Sequence, residues 1–383
     1  MINMRMFLVY IYIVPTLISL AVIYHTGYLL GDFRGYSYAI DSIDVLGNVI
    51  KFIFPIFLFF LFVKVSDKLK FIQEKDNSFE SLSFFLFIYI FFVTFIFGAI
   101  KIGVGDVSGG YAGLLMSTVI KLNPYLLLSV LAFSKIKTTR FLFCLFVAVF
   151  FSYKQISMQG YLVALFSLSV FILNRVRINS LVISLVLLIP FVFYNYLFEV
   201  LSYIYSVRNE MRGVTFDVTE VSSLALGRVS SLSSYLYITD NAFDFSRISD
   251  FFSLGIYLER LIGFSLFATN SPSSVFNLSV LGDADYSIFL GLNGFLYSLY
   301  EVSLGVLILN VMVLMFFLFI TFQLMPFFEK KKRPCVFFLV IYMNFLSFDI
   351  WEFSMLFQSL IVINVLYYFL HLCRVVRSKI IIS

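Results

Sequence analysis

The sequence predicts an all-α fold: a polytopic transmembrane helix bundle of about ten spans, with a large external loop containing short interfacial helices. Three observations predict it. First, the 383 residues are 61% apolar and only 13% charged, with a mean hydropathy of +0.99; soluble globular chains carry roughly 25% charged residues. Second, the apolar runs are long and unbroken rather than alternating. Lipid offers a backbone no hydrogen-bond partners, so such runs read as spanning helices and not as barrel strands. Third, one long polar stretch, Ser206 to Asp285, stands alone late in the chain.

The spans follow in order. Span 1 covers Phe7 to Leu30. Arg5 precedes it as in a signal peptide, but no small-residue cleavage site follows, so it reads as an uncleaved first helix. Span 2 covers Asn48 to Val65, after a polar loop with Asp32, Arg34, Asp41 and Asp44. Span 3 covers Leu82 to Ile100 and leads into a glycine-rich loop, Lys101 to Gly110. Span 4 covers Tyr111 to Phe133, and Pro124 is expected to open it. Spans 5 and 6, Phe141 to Tyr153 and Gly160 to Leu173, form a tight pair. Span 7 covers Leu181 to Tyr203 and delivers the chain to the polar loop. Tyr286 to Tyr300 is apolar and glycine-rich, an interfacial or re-entrant piece leading into a helix from Glu301 to Phe328. Val336 to Phe348 and Phe353 to Leu372 complete the set, followed by a basic tail. No internal repeat breaks the chain, so residues 1–383 read as one membrane domain with the loop 206–285 inside it.

Lysine and arginine set the orientation. With the Arg5 end placed in the cytoplasm, that side receives Arg5, Lys64, Lys68, Lys70, Lys75, Lys135, Lys137, Arg140, Arg175, Arg177, Lys330, Lys331, Lys332, Arg333, Arg374, Arg377 and Lys379, which is 17 of the 27 basic residues. Both termini are then inside and the long loop is outside. The net charge of +5 is divided among these loops, so it signals orientation and not nucleic acid. The cysteines Cys144, Cys335 and Cys373 have no metal-ligand spacing and read as free thiols.

The external loop holds Arg208, Arg212, Arg228, Arg247 and Arg260 and no lysine. Guanidinium forks two hydrogen bonds onto a phosphate or carboxylate, whereas ammonium is a point charge. The loop therefore reads as an anion-handling surface. Arg208 and Arg212 share a face if the helix of span 7 continues outward; the alternative is a surface pair bonded to Glu210, Asp217 or lipid head groups. Arg228 opens Val229 to Ile238, whose apolar spacing suggests a short amphipathic helix near the membrane. A cation in the first turn of a helix gains from a nearby anion, and the competing partner is Glu220. Arg247 and Arg260 bracket a second interfacial helix, where they bind ligand or merely snorkel.

Lys121 sits mid-span, where a lysine is costly unless it faces a cavity or partner; the alternative is a late start to span 4. Lys154, with Gln155 and Gln159, occupies the turn of the short pair. Asp283, Asp285 and Glu301 come where the loop re-enters the membrane. A carboxylate there suits a general base for an acceptor hydroxyl, or else it pairs with a loop arginine. The two histidines, His25 and His371, lie far apart and outside the loop. That leaves no metal cluster, no Ser-His-Asp arrangement in the loop and no call for a cofactor. No Walker-type glycine loop is present either.

Two stretches, LGRVSSLSSY (Leu226 to Tyr235) and GLNGFLYSLYEVSLG (Gly291 to Gly305), together with the Phe-rich spans and the late external loop, resemble the O-antigen polymerases of the Wzy type. Arg247 and Gly263, with fifteen residues between them, also fit the Arg-to-Gly spacing found in external loops of that family. The turn between the short spans departs from it, with Lys154, Gln155 and Gln159 where relatives often carry arginine. The resemblance implies a metal-independent glycosyltransferase on the periplasmic face of a bacterial inner membrane. Its substrates are repeat units linked to undecaprenyl pyrophosphate, and its partners are these lipid-linked oligosaccharides, membrane lipids and a chain-length regulator protein. Pyrophosphate would bind the arginines with Lys121 or Lys154, and the acceptor hydroxyl Glu301, Asp283 or Asp285. The rival readings are a lipid-linked oligosaccharide flippase, an O-antigen ligase of similar architecture and a non-enzymatic membrane scaffold. A flippase calls for charge along a central cavity and an internal duplication. An O-antigen ligase typically relies on an external-loop histidine.

Overall fold

The computed structural model describes residues 4–33, 35–38, 42–69, 78–100, 110–175, 230–241, 253–262, 276–278, 290–325 and 350–382, with single residues or pairs at 199, 202–203, 206–207, 210, 223, 226–227, 336–337 and 340–341. Within the helices, side chains are described except at 4–12, 42–46, 56, 78, 158, 253, 260–262, 350–352 and 370–382. Every regular element among them is a helix, and the one β-bridge pairs Tyr28 with Ser37.

Helix α1 spans Met4–Thr26 and carries Pro15 inside it. It stops at Gly27, whose φ of +72° is cheap only for glycine. A tight hairpin follows: Leu29 N–H donates to Tyr36 O and Tyr38 N–H to Gly27 O. Helix α2 spans Ser42–Ser66 and α3 spans Ser78–Phe97, which ends at Gly98 with φ +82°.

The fourth expected span is two helices. Helix α4 covers Gly110–Leu122 and α5 covers Pro124–Ala132. Proline has no N–H to give and pushes the residue before it out of the helical region. That residue, Asn123, takes φ 47°, and its side chain caps α5 by accepting from Leu126 N–H at 3.1 Å. Helices α6 (Thr138–Gln155) and α7 (Met158–Arg175) form the short pair. Their turn passes through Ile156 at φ 56°, a costly conformation for a β-branched residue.

Helix α8 spans Leu232–Asp240 and α9 spans Ser253–Ile262. Helix α10 (Gly291–Val302) is separated from α11 (Leu304–Leu324) by Ser303, whose hydroxyl caps α11 at Val306 N–H. The break thus falls after Glu301, which closes α10 instead of opening the long helix. Helix α12 runs from Ile350 to Ile382, through the residues expected to form a tail. Most of the expected ninth span lies outside the described residues, as does nearly all of the seventh.

Among the described residues, four stretches are long and apolar enough to cross a membrane: Gly47–Leu69, Phe79–Phe97, Gly110–Ala132 and Leu304–Leu324. Shorter apolar stretches lie at Ile13–Thr26, Gln159–Arg175 and Phe353–Phe369. Large apolar side chains stay exposed along them, among them Phe85, Phe92, Phe95, Met312 and Phe316, as befits surfaces that meet lipid.

Helix α5 packs between α6 and α7, α3 lies against α4 and α6, and α12 joins α4, α9 and α11. Phe141 and Phe171 stack at 3.8 Å across the α6–α7 pair. At that end Arg175 holds Ile136 O and donates to Thr138, while Glu80 accepts from Lys135 N–H. Cys144 is buried in α6 as a free thiol.

The two loop helices differ from the expectation of elements lying on a surface. Leu232 through Ile238 in α8 are all buried, the serines included. Helix α9 buries Ile256 and Tyr257, whose ring stacks at 3.8 Å on Phe317 of α11 and meets Phe353 and Phe357 of α12 edge-on. Both are interior elements.

Candidate functional site

Two polar regions stand out. The first is built by the stretches around α8 and α10. Just before α8, Gly227 touches the backbone of the α1–α2 hairpin. A Cβ there would lie 2.5 Å from the Gly31 nitrogen and 2.8 Å from the Leu30 carbonyl carbon. Ser231, at φ 49°, turns the chain into α8, and its N–H donates to Gly227 O.

The serines then stitch α8 to the N-terminal region. Ser19 Oγ donates to Ser230 Oγ at 2.8 Å, and Ser233 Oγ accepts from Leu30 N–H at 2.9 Å. Gly31 N–H lies 3.4 Å from Ser223 Oγ. Buried backbone donors left unpaired are costly, so these serines are placed to satisfy them. Tyr237 stacks on Phe33 at 4.5 Å and meets Tyr36 edge-on at 4.7 Å. Burial first, then the Tyr36 hydroxyl, pushes the Tyr237 hydroxyl up to about 12.

Helix α10 lies against α8. The Ile238 side chain fills the space over Gly294, and the Tyr235 and Tyr297 rings meet edge-on at 6.3 Å. Asn293 Nδ2 donates to Phe52 O of α2 at 2.7 Å. Tyr297 is hydrogen-bonded to Glu301 one turn on. Burial first, then this bond and the carboxylate charge, pushes its hydroxyl up to about 12, so at neutral pH it is a donor to Glu301. Glu301 is itself exposed.

The second region is the break between α4 and α5. The Tyr125 hydroxyl donates to Gln155 Oε1 at 2.9 Å and lies 3.1 Å from Ser152 Oγ. Gly160 leaves room for this network; a Cβ there would sit 2.5 Å from the Tyr125 ring. Lys121 stands four residues before Tyr125, and Lys154 one residue before Gln155. Both are exposed, and the Lys154 ammonium lies 5.7 Å over the Phe150 ring. Residues 107–198 contain no aspartate or glutamate, so α4 through α7 supply these lysines with no carboxylate.

The remaining expected site residues stand as follows. Arg208, Arg212, Arg228, Arg247, Asp283 and Asp285 lie outside the described residues, as does the side chain of Arg260. Arg228 is flanked by buried Gly227 and, two residues on, buried Ser230. Glu301 stands beside Tyr297, which in turn meets Tyr235; neither tyrosine was among the expected site residues. Their one signal in sequence was membership of the two quoted stretches. Among the described residues no group of three His, Cys, Asp or Glu side chains converges to hold a metal. Compared with known proteins, the chain matches no protein-family profile, no curated protein and no solved structure.

Proposed function

We propose that this chain is a Wzy-type polymerase, a multi-pass protein of the bacterial inner membrane with both termini cytoplasmic and residues 206–285 in the periplasm. It joins oligosaccharide repeat units carried on undecaprenyl pyrophosphate. The observation that supports this reading is the contact between the two stretches that carry the resemblance. They lie 56 residues apart, from Tyr235 to Gly291, yet α8 and α10 pack directly through Ile238, Gly294, Tyr235 and Tyr297.

In the proposed reaction the acceptor sugar hydroxyl forms a bond to the anomeric carbon of the donor glycan. The bond from that carbon to the pyrophosphate oxygen breaks, and its electron pair leaves with the lipid pyrophosphate. The hydroxyl proton passes to a carboxylate, for which Glu301 is first choice and Asp283 and Asp285 are the others. Arg228 offsets the charge that develops on the leaving group. Arg208, Arg212, Arg247 and Arg260, with Lys121 and Lys154, hold the lipid-linked phosphates. The lipid tails enter laterally between exposed phenylalanines.

A deletion strain tests the reading through its lipopolysaccharide banding. The expected result is loss of the ladder with a single repeat unit retained. Loss of every unit would instead indicate a flippase or a ligase.

Two further outcomes are expected. Reporter fusions at Asp76, Lys137, Arg177 and Lys332 should read cytoplasm, and those at Asp106 and Asp240 outside; a cytoplasmic signal at Asp240 would overturn the orientation. Purified protein should elongate lipid-linked repeats in excess chelator, since arginines are assigned the pyrophosphate charge. Strict need for a divalent cation would remove that assignment.

A further inference from the structure

The start of α3, the turn from α5 into α6 and the end of α7 meet at one end of the bundle. Side chains from all three hold the backbone of that turn. Glu80 accepts from Lys135 N–H at 2.9 Å, and Asn174 Nδ2 donates to Phe133 O at 3.4 Å. Ser134 Oγ accepts from Ile136 N–H, while Arg175 holds Ile136 O and donates to Thr138. Ile136 is 1% exposed and anchors the turn. The backbone carrying Lys135 and Lys137 is therefore fixed, while both side chains are exposed.

The charge at this end is positive. Residues 78–84, 132–141 and 171–175 carry Lys135, Lys137, Arg140 and Arg175 against the one carboxylate of Glu80. Glu80 is engaged by a backbone N–H, and Arg175 by a carbonyl and a hydroxyl. Among the described residues no carboxylate pairs with the side chains of Lys135, Lys137 or Arg140. The exposed Arg140 lies with its guanidinium 5.3 Å over the Phe84 ring.

Beyond Arg140 the surface turns aromatic. Phe84 and Phe91 of α3 meet Phe143, Phe146 and Phe150 of α6 at ring separations of 5.6 to 6.4 Å. Phe146 is 56% exposed. From Arg140 to Phe150 this face covers about 15 Å of helix, which is the depth of one leaflet of hydrocarbon.

We propose that Lys135, Lys137 and Arg140, with the phenylalanine face of α3 and α6, bind an anionic phospholipid of the bilayer. Its headgroup phosphate rests on the cations and one acyl chain runs along the rings. Basic pockets between spanning helices suit anionic headgroups, and here the turn is fixed before the ligand arrives. Charge complementarity selects the headgroup, and the apolar face one leaflet deep selects the tail. A free phosphate would answer the cations and leave the rings uncovered. The bound lipid ties α3 to α6 and so stabilises the bundle. The site lies at the opposite end of α6 from Lys154, and it does not depend on the polymerase reading.

The test titrates the full chain, purified in a neutral detergent, with dioleoyl phosphatidylglycerol and reads retained lipid by native mass spectrometry. Dioleoyl phosphatidylcholine and inorganic phosphate are the parallel probes. The unaltered protein should retain phosphatidylglycerol in preference to phosphatidylcholine, and its thermal midpoint should rise with the former. Inorganic phosphate should neither raise the midpoint nor displace the lipid. Lys135→Gln with Lys137→Gln should lower affinity for phosphatidylglycerol roughly thirtyfold, and each single change should give part of that loss. Lys64→Gln with Lys68→Gln removes the same charge at the end of α2, which packs against α11, and should leave affinity unchanged. Phe146→Ala should weaken binding several-fold yet keep the preference for phosphatidylglycerol. Equal retention of the two lipids, equal loss in the two double variants, or displacement by inorganic phosphate would overturn the site. Unchanged affinity in Phe146→Ala would overturn the seat for the acyl chain.

Discussion

Gly227→Ala should lower the yield of folded protein and its thermal midpoint in detergent, although it adds only one methyl group. The added carbon would meet backbone on the other side, at the Gly31 nitrogen and the Leu30 carbonyl carbon. Side chains can swing aside, but this stretch of backbone cannot. Gly31 is held at φ +74°, and the N–H groups of Leu30 and Gly31 are engaged by Ser233 and Ser223. Forcing the two segments apart would cost those bonds as well as the packing. Overpacking of this kind typically costs about 1–3 kcal/mol, and the lost hydrogen bonds add to it. Gly305→Ala supplies the control. It sits in the first turn of α11, where a Cβ would meet only Ser303 Oγ at 3.8 Å. There the change should be neutral or stabilising by about 0.5–1 kcal/mol, because alanine is the better helix former. Equal midpoints for the two variants would show that the contact between 227 and 31 is not a close one.

The same contact explains what the sequence could and could not reveal. Apolar runs are local, so their helices were legible. Ser78–Phe97 and Gly110–Ala132 fall within four residues of the expected bounds at each end, and the opening at Pro124 is realised as the Asn123 break. The character of α8 was not legible. Its serines made Val229 to Ile238 look two-sided, apolar on one face and wet on the other. In the fold those hydroxyls meet Ser19 and Leu30, more than 200 positions away, so the polar face is as buried as the apolar one. A serine in sequence does not say whether its partner is water or a distant backbone group. Asn293 and its partner Phe52 O hid for the same reason. Lys121 is a milder case. Depth made it suspect, and the structure places it exposed, two residues before the Asn123 break.

Arg228→Ala should abolish long glycan chains while protein level and membrane insertion remain normal. Arg228 belongs to the stretch that carries the resemblance and lies between Gly227 and Ser230, both buried and both tied to the N-terminal region. Catalysis rewards donors that are fixed before charge develops. Removing one such donor typically costs roughly 2.7–4 kcal/mol of transition-state stabilisation, a fall of about 100- to 1,000-fold in rate. Elongation of purified lipid-linked repeats should drop by that factor, with a smaller change in apparent substrate affinity, because the charge it answers appears mainly as the bond to pyrophosphate breaks. Arg228→Lys should rescue poorly, since an ammonium cannot fork onto two phosphate oxygens. Arg228→Glu should be inactive too but proves less, as repulsion alone explains it. A normal ladder from Arg228→Ala at normal expression would make the residue structural. The pyrophosphate would then belong with Arg208, Arg212 or the exposed pair Lys121 and Lys154, whose surrounding helices offer no carboxylate to compete for it.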